Sequence, residues 1–168
     1  MIITSLIRFA WALLLLAFQV LVLDHIHPWG FGAPLLCPIL IITLPLGTSR
    51  SIALLWGFVI GLASDIFAGT PGIGSAAMTL LALLQPTLLS LMAPRDSEED
   101  LHPSFRTMGI QNYLQFIALL LLIHHLAFFS LEAFSYFNIA EVAISMGVSY
   151  AASLILILLI EKVRNPKD

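Results

Sequence analysis

Six long apolar stretches constrain this chain more than any other feature of its sequence. Each approaches the roughly 20 residues that a helix needs to cross a hydrocarbon core about 30 Å thick. The connections between them are mostly short, so we expect one polytopic membrane domain over residues 1–168. The stretches are Leu6–Leu23, Phe31–Leu46, Ser51–Ala68, Gly72–Ala93, Ile110–Phe129 and Val142–Ile160. They predict an all-α integral membrane protein with about six transmembrane helices.

The composition indicates the same class. Hydrophobic residues make up 60% of the 168 residues and charged residues only 10%, whereas a soluble domain is about half apolar and a quarter charged. A bilayer solvates apolar side chains on all sides of a helix, which water cannot do. Seven Lys and Arg against ten Asp and Glu give a net charge of −3, which argues against nucleic-acid binding.

Three prolines distinguish the second stretch from the others. Pro34, Pro38 and Pro45 each lack a backbone N–H, and each tends to kink a helix. Irregular backbone at membrane depth is tolerated where protein buries it. We therefore expect this stretch to be bent, broken or re-entrant.

The distribution of basic residues predicts the orientation. If all six stretches cross, the connections alternate between the two sides, and every Lys and Arg then falls on one side. These residues are Arg8, Arg50, Arg95, Arg106, Lys162, Arg164 and Lys167. The positive-inside rule makes that side cytoplasmic, so both termini are predicted to be inside. No small-residue cleavage site follows the first stretch, which we expect to remain as an uncleaved span.

The third stretch carries a small and then acidic helical face. Gly57, Gly61 and Asp65 lie four residues apart, and glycines at this spacing let another helix backbone approach closely. A carboxylate near the end of a span is costly, so Asp65 needs a donor partner. Helix packing and capping of the next turn compete here with ion or proton handling. Pro71 and Gly72 then predict a tight turn.

The sixth stretch carries two stripes of small residues. Ser145, Ser149 and Ser153 form one stripe at four-residue spacing. Ala143 begins the other, which continues through Gly147 and Ala151. Both stripes have the small-xxx-small spacing of helix-packing surfaces. We interpret Gly147 and Ala151 as interaction residues.

Metal binding and catalysis are weakly supported. Asp24, His25 and His27 offer three ligand types on one short connection, with no clear fourth ligand. His124 and His125 are neighbours, and neighbouring helical positions point about 100° apart, so packing is the simpler interpretation. No motif for a phosphate loop, a zinc protease or a nucleophile elbow is present. We predict no enzyme activity, no cofactor and no metal.

Several motifs, in order along the chain, give it a resemblance to the rod shape-determining MreD family, particularly its Bacteroidetes form. The motifs are Asp24-His-Ile-His-Pro28, Leu44-Pro-Leu46, Gly57-Phe-Val-Ile-Gly-Leu-Ala-Ser-Asp-Ile-Phe67, Thr70-Pro-Gly-Ile73, Leu91-Met-Ala-Pro-Arg-Asp96, Phe105-Arg-Thr-Met-Gly109 and Ile123-His-His-Leu126. They cover most of the chain. Two positions depart from the family pattern: Gln85 stands where an Arg is expected, and Gly74-Ser75 replaces a pair that contains His.

The resemblance implies a non-enzymatic scaffold of the cell-elongation machinery in the bacterial cytoplasmic membrane. Such a scaffold binds MreC and, through it, supports MreB filaments and the peptidoglycan synthases of the lateral wall. It also implies a bundle similar to the S-components of energy-coupling-factor vitamin transporters, which are the alternative function. S-components dock their partner through Ala-x-x-x-Ala in the first span. Here Leu14, Leu16 and Leu21 follow the alanines at that spacing, which favours the scaffold.

Overall fold

The computed structural model describes residues 2–26, 32–94, 101–133 and 138–164. Within these ranges every regular element is helical. The helices are α1 (Ile2–Leu21), α2 (Pro38–Ile42), α3 (Arg50–Ala68), α4 (Ile73–Met92), α5 (Phe105–Met108), α6 (Ile110–Glu132) and α7 (Ile139–Arg164), with a 3₁₀ turn at Leu23–His25 after α1. The prediction of an all-α chain is confirmed for the described part.

Four helices are long and apolar enough to cross a membrane. They cover Arg50–Ala68, Ile73–Met92, Ile110–Glu132 and Ile139–Val163. Their bounds agree within a few residues with the third to sixth predicted stretches. A multi-pass membrane protein is therefore the class that the fold supports. A shorter apolar helical stretch covers Phe9–His25, and its crossing of the membrane remains a prediction.

The second predicted stretch is not one continuous helix. Its described part begins with irregular backbone from residue 32, and only Pro38–Ile42 is helical. Pro38 occupies the first turn of α2, where its missing N–H costs no hydrogen bond. The chain leaves the helix at Thr43, two residues before Pro45, because the residue before a proline avoids the helical region. The expectation of a broken segment is confirmed, whereas its full crossing remains a prediction.

The long helices pack side by side around α4 and α6. Helix α3 packs along α4, α4 packs on α6, and α6 packs on α7, while α1 lies against α3. The rings of Phe9 and Trp56 join α1 to α3 with their centroids 6.4 Å apart. The short α2 lies against α4 and α6, so the broken segment runs through the middle of the bundle.

Helix α6 supplies half of the twelve largest fully buried side chains. They are Tyr113, Phe116, Leu36, Ile41, Ile42, Leu81, Leu89, Ile117, Leu120, Leu121, Ile157 and His125. The outer surface is also apolar, with Leu55, Ile66 and Leu91 more than half exposed. In water this surface would be unfavourable, whereas lipid solvates it.

The connection before α6 is fixed by a capping box. The Ser104 hydroxyl accepts from the Thr107 N–H, and the Thr107 hydroxyl in turn accepts from the Ser104 N–H. The N–H of Leu46 donates to the carbonyl of Leu101 at 3.0 Å, which joins this connection to the end of the broken segment. Residues 95–100, which include Arg95, lie outside the described part, as does Lys167.

Candidate functional site

The seam between α3 and α4 contains the predicted glycines. A Cβ placed on Gly61 would lie 2.5 Å from Ser75 Cα and 2.7 Å from the carbonyl oxygen of Gly74. A Cβ on Gly57 would lie 2.7 Å from the Met78 carbonyl oxygen. Real Cβ atoms do not approach backbone so closely, so both positions require glycine. The small face of α3 therefore packs directly on the backbone of α4, as small-residue interfaces do in membranes.

Asp65 caps α4 from the neighbouring helix. Its Oδ1 accepts from the N–H of Gly74 at 2.7 Å and from the hydroxyl of Thr70 at 2.9 Å, and its Oδ2 accepts from the N–H of Ser75 at 2.8 Å. The first N–H groups of a helix have no partner within it, and the positive end of the helix dipole attracts a carboxylate. With its side chain only 3% exposed, Asp65 is bonded as a structural cap.

The turn between α3 and α4 depends on glycine at two positions. Gly69 ends α3 at φ 70°, and its N–H donates to the carbonyl of Asp65. Gly72 precedes α4 at φ 88°, a backbone conformation that residues other than glycine seldom adopt. Pro71 lies between them and fixes its own φ. Gly57, Gly61, Asp65, Pro71 and Gly72 therefore build one local unit, the α3–α4 hairpin.

The α3–α4 hairpin buries the glycines of α3 inside the chain. Gly57 and Gly61 are covered by α4 of the same chain. Added bulk at either residue would disturb the bundle itself before it could disturb a partner. The helix that approaches these glycines is α4, as their spacing allows.

Gln19 of α1 holds the broken segment by its backbone. The side-chain NH₂ of Gln19 donates to the carbonyl of Pro34 at 2.9 Å and to Oδ1 of Asp24 at 2.6 Å. Its carbonyl oxygen accepts from the N–H of Leu36 at 2.6 Å. The amide group of Gln19 therefore pairs one carbonyl and one N–H of the irregular backbone. Gln19 is only 1% exposed. Sequence reasoning missed this residue, although a lone amide within an apolar stretch signals a buried polar partner.

The serine stripe of α7 holds the other side of the same segment. Ser149 donates to the carbonyl of Ala33 at 2.6 Å, and the Leu35 N–H donates to the Ser153 hydroxyl at 2.7 Å. Both serines are fully buried. On α4, the buried Gln85 donates to the carbonyl of Leu44 at 2.9 Å. The broken backbone is thus paired from α1, α4 and α7, as a non-helical segment within a bilayer requires.

The two adjacent histidines of α6 have different surroundings. His125 Nδ1 lies 2.9 Å from the carbonyl of Leu121, so it carries the proton, and Nε2 lies 3.3 Å from the hydroxyl of Ser153. Both nitrogens of His125 therefore have partners. His124 is 3% exposed, and its Nδ1 has no hydrogen-bond partner within the described structure. The two rings meet edge to face at 5.6 Å.

A small cavity lies beside His124. It is bounded by α1, α3, α4, α6 and the residues before α2, and its volume is about 20 Å³. Cys37, Ser64, Met78 and His124 are among its lining residues. That volume holds about one water-sized occupant.

The second stripe of α7 faces outward. Gly147 and Ala151 are exposed, and a Cβ placed on Gly147 would meet no atom within 4 Å. The span of α7 is also the least buried of the four, at 17% of its apolar window against 28% to 39% for the others. Gly147 and Ala151 therefore lie on a face that the described chain leaves uncovered. We call this face, made of Ala143, Gly147 and Ala151, the α7 face.

Among the described residues, no group of three or more His, Cys, Asp or Glu side chains is placed to hold a metal ion. His27 of the candidate cluster with Asp24 and His25 lies outside the described residues, so that cluster stays a sequence hypothesis. No family model, curated protein or solved structure matches this chain.

Proposed function

We propose that this chain is a non-enzymatic scaffold of the bacterial cell-elongation machinery, similar to MreD, and that it binds MreC in the cytoplasmic membrane. Through MreC it would support MreB filaments and the peptidoglycan synthases of the lateral wall. The ordered motifs from Asp24 to Leu126 support the family. The observation that carries a binding role is the uncovered α7 face.

The α7 face suits a membrane helix better than it suits lipid. Its outer half presents Ala143, Gly147 and Ala151 one helical turn apart, and the same stripe continues with the bulky Ile155 and Leu159. Between helices in a bilayer there is no hydrophobic gain, so close backbone packing at small residues supplies the attraction. Because the space above Gly147 is open, a partner helix can approach without rearrangement of the bundle.

We infer six crossings with both termini in the cytoplasm. Residues 32–46 would form the second crossing, because they bond to Gln19 in the last turn of α1 and, through Leu46, to Leu101 in the connection between α4 and α6. With alternating directions, these partners belong to opposite ends of the bundle. The basic residues then lie on the cytoplasmic side.

Within the part of the chain that the structure describes, the cavity beside His124 is too small for a vitamin, which supports a scaffold over an S-component. A pocket for a small organic molecule usually encloses several hundred Å³. This cavity measures about 20 Å³, far less than thiamine or biotin needs.

Depletion and complementation test the proposal. Depleted cells should become wide or round while division continues, and the wild-type chain should restore rods. Gly147→Leu should fail to restore them at unchanged protein level, since its side chain would fill the α7 face. The control is Ala76→Leu, which places the same leucine side chain at an exposed small residue of α4 and should restore rods.

Two outcomes would contradict the proposal. If depleted cells keep their shape and lose uptake of thiamine or biotin, the chain is an S-component. If Gly147→Leu restores rods as well as Ala76→Leu does, the α7 face is not the binding surface.

A further inference from the structure

The cavity beside His124 gathers two soft donors, a thiol and a thioether, and one imidazole. Cys37 precedes α2, Met78 lies on α4 and His124 lies on α6, and all three line the same space of about 20 Å³. Each is at least 95% buried. These side chains come from three separate parts of the chain, so the fold alone brings them together.

His124 distinguishes this cavity from ordinary core packing. Burying a polar atom without a partner costs about 1–3 kcal/mol, and His124 Nδ1 has none within the described structure. Its neighbour His125 is bonded at both nitrogens. A phenylalanine would fill the place of His124 without that cost, so the imidazole indicates an occupant that it can bind.

We propose that the cavity binds one monovalent soft metal ion, Cu⁺, through Cys37, Met78 and His124. Thiolate and thioether ligands select Cu⁺ among the biological metals, and imidazole also suits copper. On binding, Cu⁺ displaces the proton of the Cys37 thiol, which leaves to solvent, and the S–Cu bond forms without change of oxidation state. A single ion fits a cavity that holds about one water.

The ligand set leaves no excess charge on a monovalent ion. Cu⁺ with one thiolate is neutral overall, because Met and His add no charge. This site is independent of the proposed scaffold function.

Metal titration of the full chain in detergent tests the proposal. Ag⁺ serves as a redox-inert probe and Cu⁺ is used without oxygen, each in competition with a chromophoric chelator. We expect one ion per chain. Cys37→Ser should weaken binding at least 100-fold, and Met78→Leu and His124→Phe at least tenfold each. Met92→Leu on the same helix and His102→Gln should bind as the wild type does.

X-ray absorption of the wild-type Cu⁺ complex keeps the test decisive even if a variant fails to fold. The expected spectrum shows two sulfur ligands and one nitrogen ligand. A spectrum without sulfur, or wild-type binding no tighter than that of folded Cys37→Ser, would overturn the proposal and leave a buried water as the occupant.

Discussion

Three buried polar residues, Gln19, Asp65 and Ser149, bond to main-chain groups that have no partner within a helix. In a bilayer each unpaired backbone group costs several kcal/mol, since no water replaces the partner. The sequence shows where these residues are, but their partners lie up to 116 positions away. The glycine spacing of α3 was readable because its period is local, whereas the long-range pairs were not.

Replacement of Gly61 by Ala should destabilise the bundle. The added Cβ would lie 2.5 Å from Ser75 Cα, so α3 and α4 must separate, at a cost of about 1–3 kcal/mol. Gly147→Ala is the matched control, because its Cβ meets nothing within 4 Å. Thermal unfolding in detergent should show a lower midpoint for Gly61→Ala alone. Equal midpoints would refute the close packing of α3 on α4.

Asp65→Asn should also be destabilising, by about 1.5–3 kcal/mol, since hydrogen bonds to a charged group contribute that much. Both carboxylate oxygens accept backbone N–H groups, and an amide can accept at only one of them. Thr70→Val removes a single hydroxyl donor and should cost less. If unfolding in detergent ranks the two variants the other way, Asp65 is not the cap of α4.

At the scale of elements, the broken segment 32–46 organises the bundle. Its prolines predicted the break, because each removes a donor from a helix. They could not predict that α1, α4 and α7 would pair its backbone, because those contacts depend on how the helices assemble. The same limit applies to the α3–α4 hairpin, whose turn was readable from Pro71 and Gly72 while the bonds from Asp65 into the first turn of α4 were not.

Ser153→Ala should loosen this segment. It removes the acceptor of the Leu35 N–H and the partner of His125 Nε2, leaving two buried groups unpaired at a cost of about 1–3 kcal/mol each. Ser145→Ala on the same stripe is the control. Amide hydrogen exchange should increase at Leu35 in Ser153→Ala and stay unchanged in Ser145→Ala. Unchanged exchange in both variants would show that α7 does not hold the segment.

At the scale of the whole molecule, four apolar helices account for the membrane class, and charge predicts the orientation. Arg50 begins α3, Arg106 lies in α5 and Lys162 lies near the end of α7. Helices that alternate in direction bring these three residues to one end of the bundle. Composition and periodicity could predict the membrane class and an orientation, because both are properties of the chain alone. A partner's identity is not such a property, so the binding of MreC rests on the resemblance and is a proposal.

Cysteine labelling tests the orientation across α3, whose two ends are Ser49 and Gly69. In a chain carrying Cys37→Ser, Thr70→Cys should react with an impermeant maleimide in intact spheroplasts. Ser49→Cys should react only after the membrane is permeabilised. The reverse pattern would invert the predicted topology.

Co-purification from membranes tests the scaffold function most directly. A tagged wild-type chain should recover MreC, and the Ala76→Leu control should recover it equally. Gly147→Leu should recover at least tenfold less, although the chain itself is folded and present at the same level. Recovery of transporter ATPases in place of MreC, or equal recovery of MreC by all three chains, would contradict a scaffold that binds through the α7 face.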